Sequence, residues 1–347
     1  MYDIQYNVDI KRYITFGISA EVGALAVYRN VDDLKSLLVL PELKGKRFLN
    51  LGSGSNMLFT ERFDGVVLHS QISDIEIVGQ DDEYVFVRVG AGVIWDDFVD
   101  WAVDHGYYGV ENLSAIPGTV GASAVQNIGA YGAEAKDVIS KVEVLDVATR
   151  EISVLDSEQC EFGYRDSVFK HGGYENRYIV THVVYRLTKI RKFNLKYGAL
   201  SALLSDPELS LRKVRDYITE VRNKKLPAPA VTGSAGSFFK NPLVSGDVFS
   251  KLSAVYPGMP HYDSGCPGFV KLSAGWLIEN AGLKGCRVGG AEVWPKQCLV
   301  IVNAGGATAG DVLALMRHIR QCVMEKFGVE LSPEVLLIAG DGSLIKQ

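Results

Sequence analysis

The segment GSAGSFFKNP, Gly233 to Pro242, sets Ser237 between glycine and two phenylalanines. A serine hydroxyl is neutral near pH 7 and a poor acid, so it serves chemistry only beside a strong base or a developing carbanion. No G-x-S-x-G elbow surrounds it, and the six histidines are too scattered to give a Ser/His/Asp order, which disfavours a nucleophilic hydrolase. Arg165, in GYRDS, reads either as the partner of its neighbour Asp166 or, given its aromatic and glycine company, as a cation in a more enclosed place. In NKKLPAP, Lys224 and Lys225 stand just before two prolines, where a solvated helix end is the ordinary reading.

Two glycine-rich stretches offer backbone instead of side chains. In LNLGSGSNMLF a strand runs into a turn where Gly52 and Gly54 could aim N–H groups at an anion. It lacks the Gly-Lys-Ser/Thr of a phosphate-binding loop, and Met57 sits where a dinucleotide fingerprint needs its third glycine, so a tight turn stays open as the alternative. In AIPGTVGASAVQNIGAYGAE the glycines at 118, 121, 129 and 132 strip side chains from a span too apolar for a surface loop. Either a flat or large ligand lies against it, or it is a buried loop that needs positive φ.

The elements that must position these residues are readable from periodicity. RFLNLGSGSN, GVVLHS, IEIVG and YVFVRVGAG read as short β-like runs bounded by turn formers, and KVEVLDV and YIVTHVVYRL as further strands. One good helix interrupts the early ones, from Ile94 to His105, with Trp95, Phe98, Val99, Ala102 and Val103 on one face and Gly106 as its stop. Near Ser210 the pattern changes: Leu211, Val214, Ile218 and Val221 recur at helical spacing until Pro227, which marks a domain boundary. A last helix follows a capping box at Thr308 and Asp311, carries Val312, Leu315, Met316, Ile319, Val323 and Phe327 on one stripe, and stops at Gly328. The final run, EVLLIAG, is too short to stand alone and must join a sheet built earlier. Without a regular βαβ rhythm or internal repeat, the fold class is α+β.

Composition narrows the function. The chain has 347 residues, enough for two or three domains, and a formal net charge of −5 with no basic stripe, which argues against nucleic acid as a partner. Its five cysteines are widely spaced and never paired as C-x-x-C, suggesting neither a disulfide framework nor a metal site but reduced thiols in the cytoplasm. No stretch approaches the roughly 18 apolar residues of a membrane span.

The segments ITFGI, LGSGSNMLF, IPGTVGASAVQNIGAYGAE, GYRDSVFK, KYGAL, GSFFKNP and SPEVLLI, in that order and over essentially the whole chain, resemble the UDP-N-acetylenolpyruvoylglucosamine reductase family of peptidoglycan precursor synthesis. The resemblance implies the FAD-binding fold of the vanillyl-alcohol-oxidase (PCMH-type) class. It would comprise two flavin-binding domains, 1–72 with 330–347 returning to it and 73–206, and a substrate domain, 207–329. It implies FAD, with NADPH as co-substrate, reducing UDP-N-acetylglucosamine enolpyruvate to UDP-N-acetylmuramate, in a monomer without nucleic-acid, membrane or metal partners. Arg165 and Glu334 match the family's catalytic arginine and glutamate, and Ser237 its proton donor. Gly52, Ser53, Gly54, Ser55 and Asn56 would cradle the pyrophosphate. Ile116, Pro117, Gly118, Gly121, Ser123, Gln126 and Asn127 would line the flavin. Tyr131, Tyr197, Lys225, Asn241 and Gln297 would contact substrate, with Tyr197 the substrate-loop tyrosine of one subtype; Phe238 and Phe239 would help to exclude water. The chain departs from the family pattern at Ile14, Ser234 and Leu336. Two other readings stand beside this one: another FAD-dependent oxidase or dehydrogenase of the same fold, and a nucleotide-sugar binding protein with a degenerate flavin site.

Overall fold

The computed structural model describes residues 1–171 and 177–345, in two compact units. The first comprises Met1–Val8, Val22–Ser53 and Asp64–Arg222, and the second Asp9–Glu21, Gly54–Phe63 and Asn223–Gln347. Strands and helices mix as expected for α+β. The helix Leu211–Lys225 begins where the periodicity places it, and the division of the chain falls within it, after Arg222.

In the first unit, a four-stranded sheet runs in the order Asp3–Asp9, Glu21–Tyr28, Phe63–Ser70, Phe48–Leu51, the last two parallel with Phe48 opposite Val66. The helix Val31–Leu37 covers it, started by Asn30, whose Oδ1 accepts the Asp33 N–H at 2.8 Å. A five-stranded antiparallel sheet follows, ordered Ile152–Asp156, Ile139–Asp146, Tyr178–Thr188, Tyr84–Gly90, Ile75–Gln80. The helix Trp95–Asp104 buries the five residues its stripe singled out. Trp95 and Phe98 lie 5.8 and 4.7 Å from the Tyr185 ring of the central strand, and the Trp95 Nε1–H donates to Leu113 O at 2.8 Å, so the buried indole keeps its hydrogen bond.

In the second unit, one apolar core joins segments far apart in sequence: Phe16 and Leu58, Phe238 and Phe239, and Leu337. Around it stand a sheet ordered Gly233–Ser237, Val300–Asn303, Ala291–Val293, Arg287–Val288 and a three-stranded sheet built on Phe269–Leu272. The helix Ala309–Phe327 has its reciprocal Thr308/Asp311 box and ends at Gly328 in the left-handed region. EVLLIAG finds its partner as expected: Leu336–Ile338 pairs in parallel with Met57–Phe59.

Beneath the five-stranded sheet's surface, Arg88 donates twice to Glu143 at 2.8 Å, and His182 lies 3.3 Å from both Glu143 and Asp74. The hydrogen bond with His182, together with the Arg88 guanidinium, holds the Glu143 carboxyl down at about 2 against the opposing pull of burial. Its folded pKa is thus below its ordinary value of 4.5. The stability it confers is complete above that value and is lost as pH falls from there towards 2. Glu143→Gln is expected to remove on the order of 2 kcal/mol at neutral pH and to flatten the acid limb of stability. Urea unfolding between pH 7 and pH 3 checks this; an equal acid slope in both proteins would exclude the assignment.

Candidate active site

In the first unit, the IPG…GAE stretch is not the continuous loop its small residues suggest. Val120–Gln126 is helical, with Gly121 N–H on Ala91 O at 3.0 Å and Val120 N–H on Val93 O at 2.9 Å. Small residues let this short helix sit directly on backbone. Gly52, at the end of its strand, is part of the same fit: a Cβ there would stand 2.7 Å from Thr119 Oγ1 and 3.5 Å from Ala122 Cβ. Ser53 follows it, Ile116 is half-buried and Pro117 exposed, and Gly118 O accepts the Trp95 N–H at 3.1 Å.

The polar residues of this stretch are largely committed to protein partners. Ser123 is fully buried, its hydroxyl donating to Val120 O and sharing a 2.7 Å bond with the Tyr185 hydroxyl. Asn127, also fully buried and left-handed (φ 43°), donates to Gly163 O at 2.7 Å and accepts the Lys136 N–H at 3.0 Å. Arg165, left-handed at φ 56°, donates through Nη2 to Gly129 O at 2.6 Å, while Asp166 has His171 at 3.3 Å. Lys170 donates to Arg165 O at 2.7 Å and to Gln126 Oε1 at 3.1 Å, which fixes the Gln126 amide and leaves its buried Nε2 with no partner among the described residues.

Tyr131 and Tyr197 meet edge to face, ring centroids 6.0 Å apart. Burial pushes the Tyr131 phenol up, with Arg222 opposing; burial pushes Arg222 itself down, and its Nε donates to Ala115 O at 3.1 Å. Arg222 and Lys170 are the residues that the sequence did not single out. The spacing of Arg215 and Arg222, seven apart on one helical face, was the available signal, but their acceptors lie about a hundred positions away.

In the second unit, Ser237 ends its strand paired opposite Val300, after a register shift that leaves Ala235 and Gly236, the latter at φ 72°, outside the ladder, and the serine is exposed. One residue on, Phe238 O accepts the Glu334 N–H at 2.8 Å, and Lys240 N–H donates to Ser332 O at 2.9 Å. Glu334 O in turn accepts the Asn56 Nδ2–H at 3.2 Å, and Asn56 O the Leu336 N–H at 2.9 Å. Ser237, Glu334 and Asn56, with Ser55 before it, are therefore held by one run of hydrogen bonds, all main-chain except the one from the Asn56 amide. Phe238 and Phe239, packed edge to face at 5.2 Å, are core residues that anchor this run.

The departures at Ile14 and Ser234 lie in the adjoining seam. Thr15 Oγ1 donates to Ser234 O at 2.7 Å and Thr15 N–H to Gly54 O at 3.3 Å. Ile14 packs against Gly54, which has φ 57° and whose Cβ would stand 2.6 Å from Tyr13 O. Leu336 pairs with Met57. Asn241 Oδ1 accepts the Ala274 N–H at 3.0 Å, and Gln297 Oε1 lies 2.9 Å from where a Cβ on Gly275 would be, so both residues gather at one helix start. Lys225 is exposed, its carbonyl accepting the Trp294 Nε1–H at 2.9 Å.

Gly54→Ala would clash with the backbone of Tyr13 and Ile14 as well as with the Ile14 side chain, and would hold alanine in the left-handed region; a loss of about 1–3 kcal/mol is expected. Thermal melting checks it, and an unchanged midpoint would show that the seam yields.

Comparison with known proteins gives these residues a context. Residues 228–338 match the family model described as UDP-N-acetylenolpyruvoylglucosamine reductase, C-terminal domain, and residues 23–155 the one described as FAD binding domain. The chain is 47% identical over 326 residues to the UDP-N-acetylenolpyruvoylglucosamine reductase of Bacteroides fragilis, covering 93% of this chain and 97% of that one. It is 44% identical over 338 residues to that of Neisseria gonorrhoeae, with 96% and 97% covered. The crystal structure of the Thermus caldophilus enzyme superposes with a TM-score of 0.68 at 26% identity, over 97% of this chain and 99% of its own. With matches of this identity running nearly end to end in both partners, the chain belongs to the UDP-N-acetylenolpyruvoylglucosamine reductase family.

Proposed function

We propose that this chain reduces UDP-N-acetylglucosamine enolpyruvate to UDP-N-acetylmuramate with NADPH and FAD, in the synthesis of peptidoglycan precursor. The observation that carries the reading is the run of hydrogen bonds that holds Ser237, Glu334 and Asn56 together, because it gives three separate motifs one mechanical purpose. The residues present fit a flavin dinucleotide. Gly52 keeps side chains out of the turn where its strand meets Thr119 and Ala122, and Gln126 brings to the same wall a buried Nε2 with no partner among the described residues. Gly52 to Asn56 would hold the pyrophosphate and Ile116 to Gly121, with Gln126, the ring. Ser123 and Asn127 brace that wall through their protein partners.

When bound, FAD supplies hydride transfer from NADPH to the terminal methylene carbon of the enolpyruvyl ether. Hydride arriving there places an electron pair on the neighbouring carbon and its carboxylate. Arg165, preset by Gly129 O and backed by Lys170, holds that carboxylate side as negative charge grows, with Glu334 as its second contact. The Ser237 hydroxyl then gives its proton to the carbon that bears the pair, which completes the lactyl ether. A serine is acid enough for this because the base it meets is a carbanion. Tyr131, Tyr197, Lys225, Asn241 and Gln297 are assigned to the nucleotide-sugar part. The functional parts are taken as 1–72 with 330–347, 73–206 and 207–329. The unpaired cysteines support a reducing compartment such as the cytoplasm, and the enzyme is taken to act as a monomer.

An anaerobic visible spectrum tests the whole reading: bleaching by NADPH, then return of the oxidised bands on adding UDP-N-acetylglucosamine enolpyruvate. A flavin that bleaches and stays reduced would discard the substrate and favour another flavin oxidoreductase of this fold. Ser237→Ala is expected to bleach normally and to recover colour slower by about 10² to 10⁴; equal slowing of both steps would remove Ser237 from the proton-donor role. Gly129→Ala puts a Cβ 2.8 Å from Arg165 Nη1 and is expected to lower turnover by about 10-fold or more through misplacement alone. Wild-type turnover in that variant would show that the guanidinium does not need its Gly129 anchor.

A further inference from the structure

Tyr131 and Tyr197 stand on separate segments of the first unit, and two asparagines outside the matched segments tie the two together. Asn112, 2% exposed, donates through Nδ2 to Tyr131 O at 3.0 Å and to Asn194 O at 2.8 Å. Asn194 donates in turn to Gly132 O at 2.9 Å, which closes a triangle of hydrogen bonds between the Tyr131 turn and the chain leading to Tyr197. Two carbonyl partners fix which way the Asn112 amide points, and its buried Oδ1 has no partner among the described residues. An unpaired buried acceptor is destabilising, so this amide is oriented by what its N–H groups hold. An apolar cluster reinforces the ties. Leu195 and Leu200, on either side of Tyr197, are buried with Val214 and Ile218, and Tyr131 packs against the same cluster. The turn needs such support, because Tyr131 is held at φ 49°. Between its two anchors Tyr197 is exposed and meets the Tyr131 ring edge to face.

We propose that Asn112 and Asn194 are positioning residues for the nucleotide-sugar substrate, holding Tyr131 and Tyr197 as one preassembled aromatic wall. The inference rests on the proposed function, which assigns both tyrosines to that part of the substrate. Neither asparagine is a contact to substrate; each acts through the segment whose carbonyl it holds. A wall assembled before substrate arrives spares binding the loss of loop and side-chain freedom that it otherwise incurs. An aid of this kind serves ground state and transition state alike, so it lowers the KM and leaves the hydride and proton steps as they are. The two ties from Asn112 are buried and the one from Asn194 is at the surface, so Asn112 carries the larger share.

The test is steady-state reduction of UDP-N-acetylglucosamine enolpyruvate by the flavin-loaded protein, with kcat and KM read separately. Asn112→Asp keeps the shape of the side chain but sets a carboxylate oxygen against both carbonyls. It is expected to raise the KM about tenfold or more, with kcat within about threefold of the parent. Asn194→Ala, at an exposed position, removes one tie alone and keeps the test open should the Asn112 variant not fold; its KM is expected to rise about threefold. Tyr197→Ala separates positioning from plain stability. Either asparagine change made in that background is expected to raise the KM little further, because the wall it positions is already gone. A KM unchanged in the asparagine variants, a fall in kcat at constant KM, or effects that multiply in full with Tyr197→Ala would each overturn the role. A parent protein that NADPH reduces and the enolpyruvate does not reoxidise overturns the proposed function itself, and this role with it.

Discussion

Main-chain hydrogen bonding between segments remote in sequence is the constraint on which the second unit depends. Thr15 bonds to both Gly54 and Ser234, Asn56 to Glu334 and Leu336, and Phe238 to Glu334. Each bond contributes about 1 kcal/mol, but together they fix positions to a fraction of the reach of a side chain. The main-chain bonds among these depend little on side-chain identity, whereas the Thr15 hydroxyl and the Asn56 amide each supply one through the side chain. That explains how Ile14, Ser234 and Leu336 can differ from the family pattern in a seam that carries three assigned residues: Ser234 and Leu336 take part through backbone atoms, and Ile14 packs against a glycine.

The first unit solves the same problem with side chains. Arg165, Lys170, Gln126 and Asn127 form a network that ties the glycine-rich stretch to the segment from Gly163 to Lys170: Asn127 donates to Gly163 O, Arg165 to Gly129 O, and Lys170 to Gln126 Oε1 and to Arg165 O. A guanidinium anchored on Gly129 O has lost rotamer freedom in advance. Preorganisation of this kind suits a cation that must meet charge appearing late in a reaction, because no reorganisation is needed when it appears.

How much of this the sequence disclosed depends on the range of the interactions. The helices Trp95–Asp104 and Ala309–Phe327 were legible because stripe, cap and stop are all local. The helix Val120–Gln126 was hidden, since alanine, glycine and serine give no stripe, and what makes it a helix is its fit against Ala91 and Val93. The short helix behind Asn30 has a plain cap but too few turns to show a period. Among polar residues the motifs marked Arg165 and Ser237 but not their braces. Nothing near Arg222 in sequence points to Ala115, and nothing near Asn112 points to Asn194. Ser123 and Asn127 of the glycine-rich stretch were legible as polar, yet only their partners in the fold show that their bonds are internal.

Backbone strain separates the two kinds of position. Ala115, Asn127, Tyr131 and Arg165 all adopt left-handed φ between 43° and 56° without being glycine. Each such residue costs about 1 kcal/mol or more and persists only where its surroundings over-determine it. The surroundings here do so: Asp96 Oδ1 accepts the Ala115 N–H at 2.6 Å, Asn112 holds Tyr131 O, Lys170 holds Arg165 O, and Asn127 is bonded through both amide atoms. A fold selected for stability alone would place glycine at these four positions. Exposed Arg150 and Glu161 adopt the same left-handed backbone, so the conformation alone does not mark this wall; what sets the four positions apart is the set of hydrogen bonds that holds each of them.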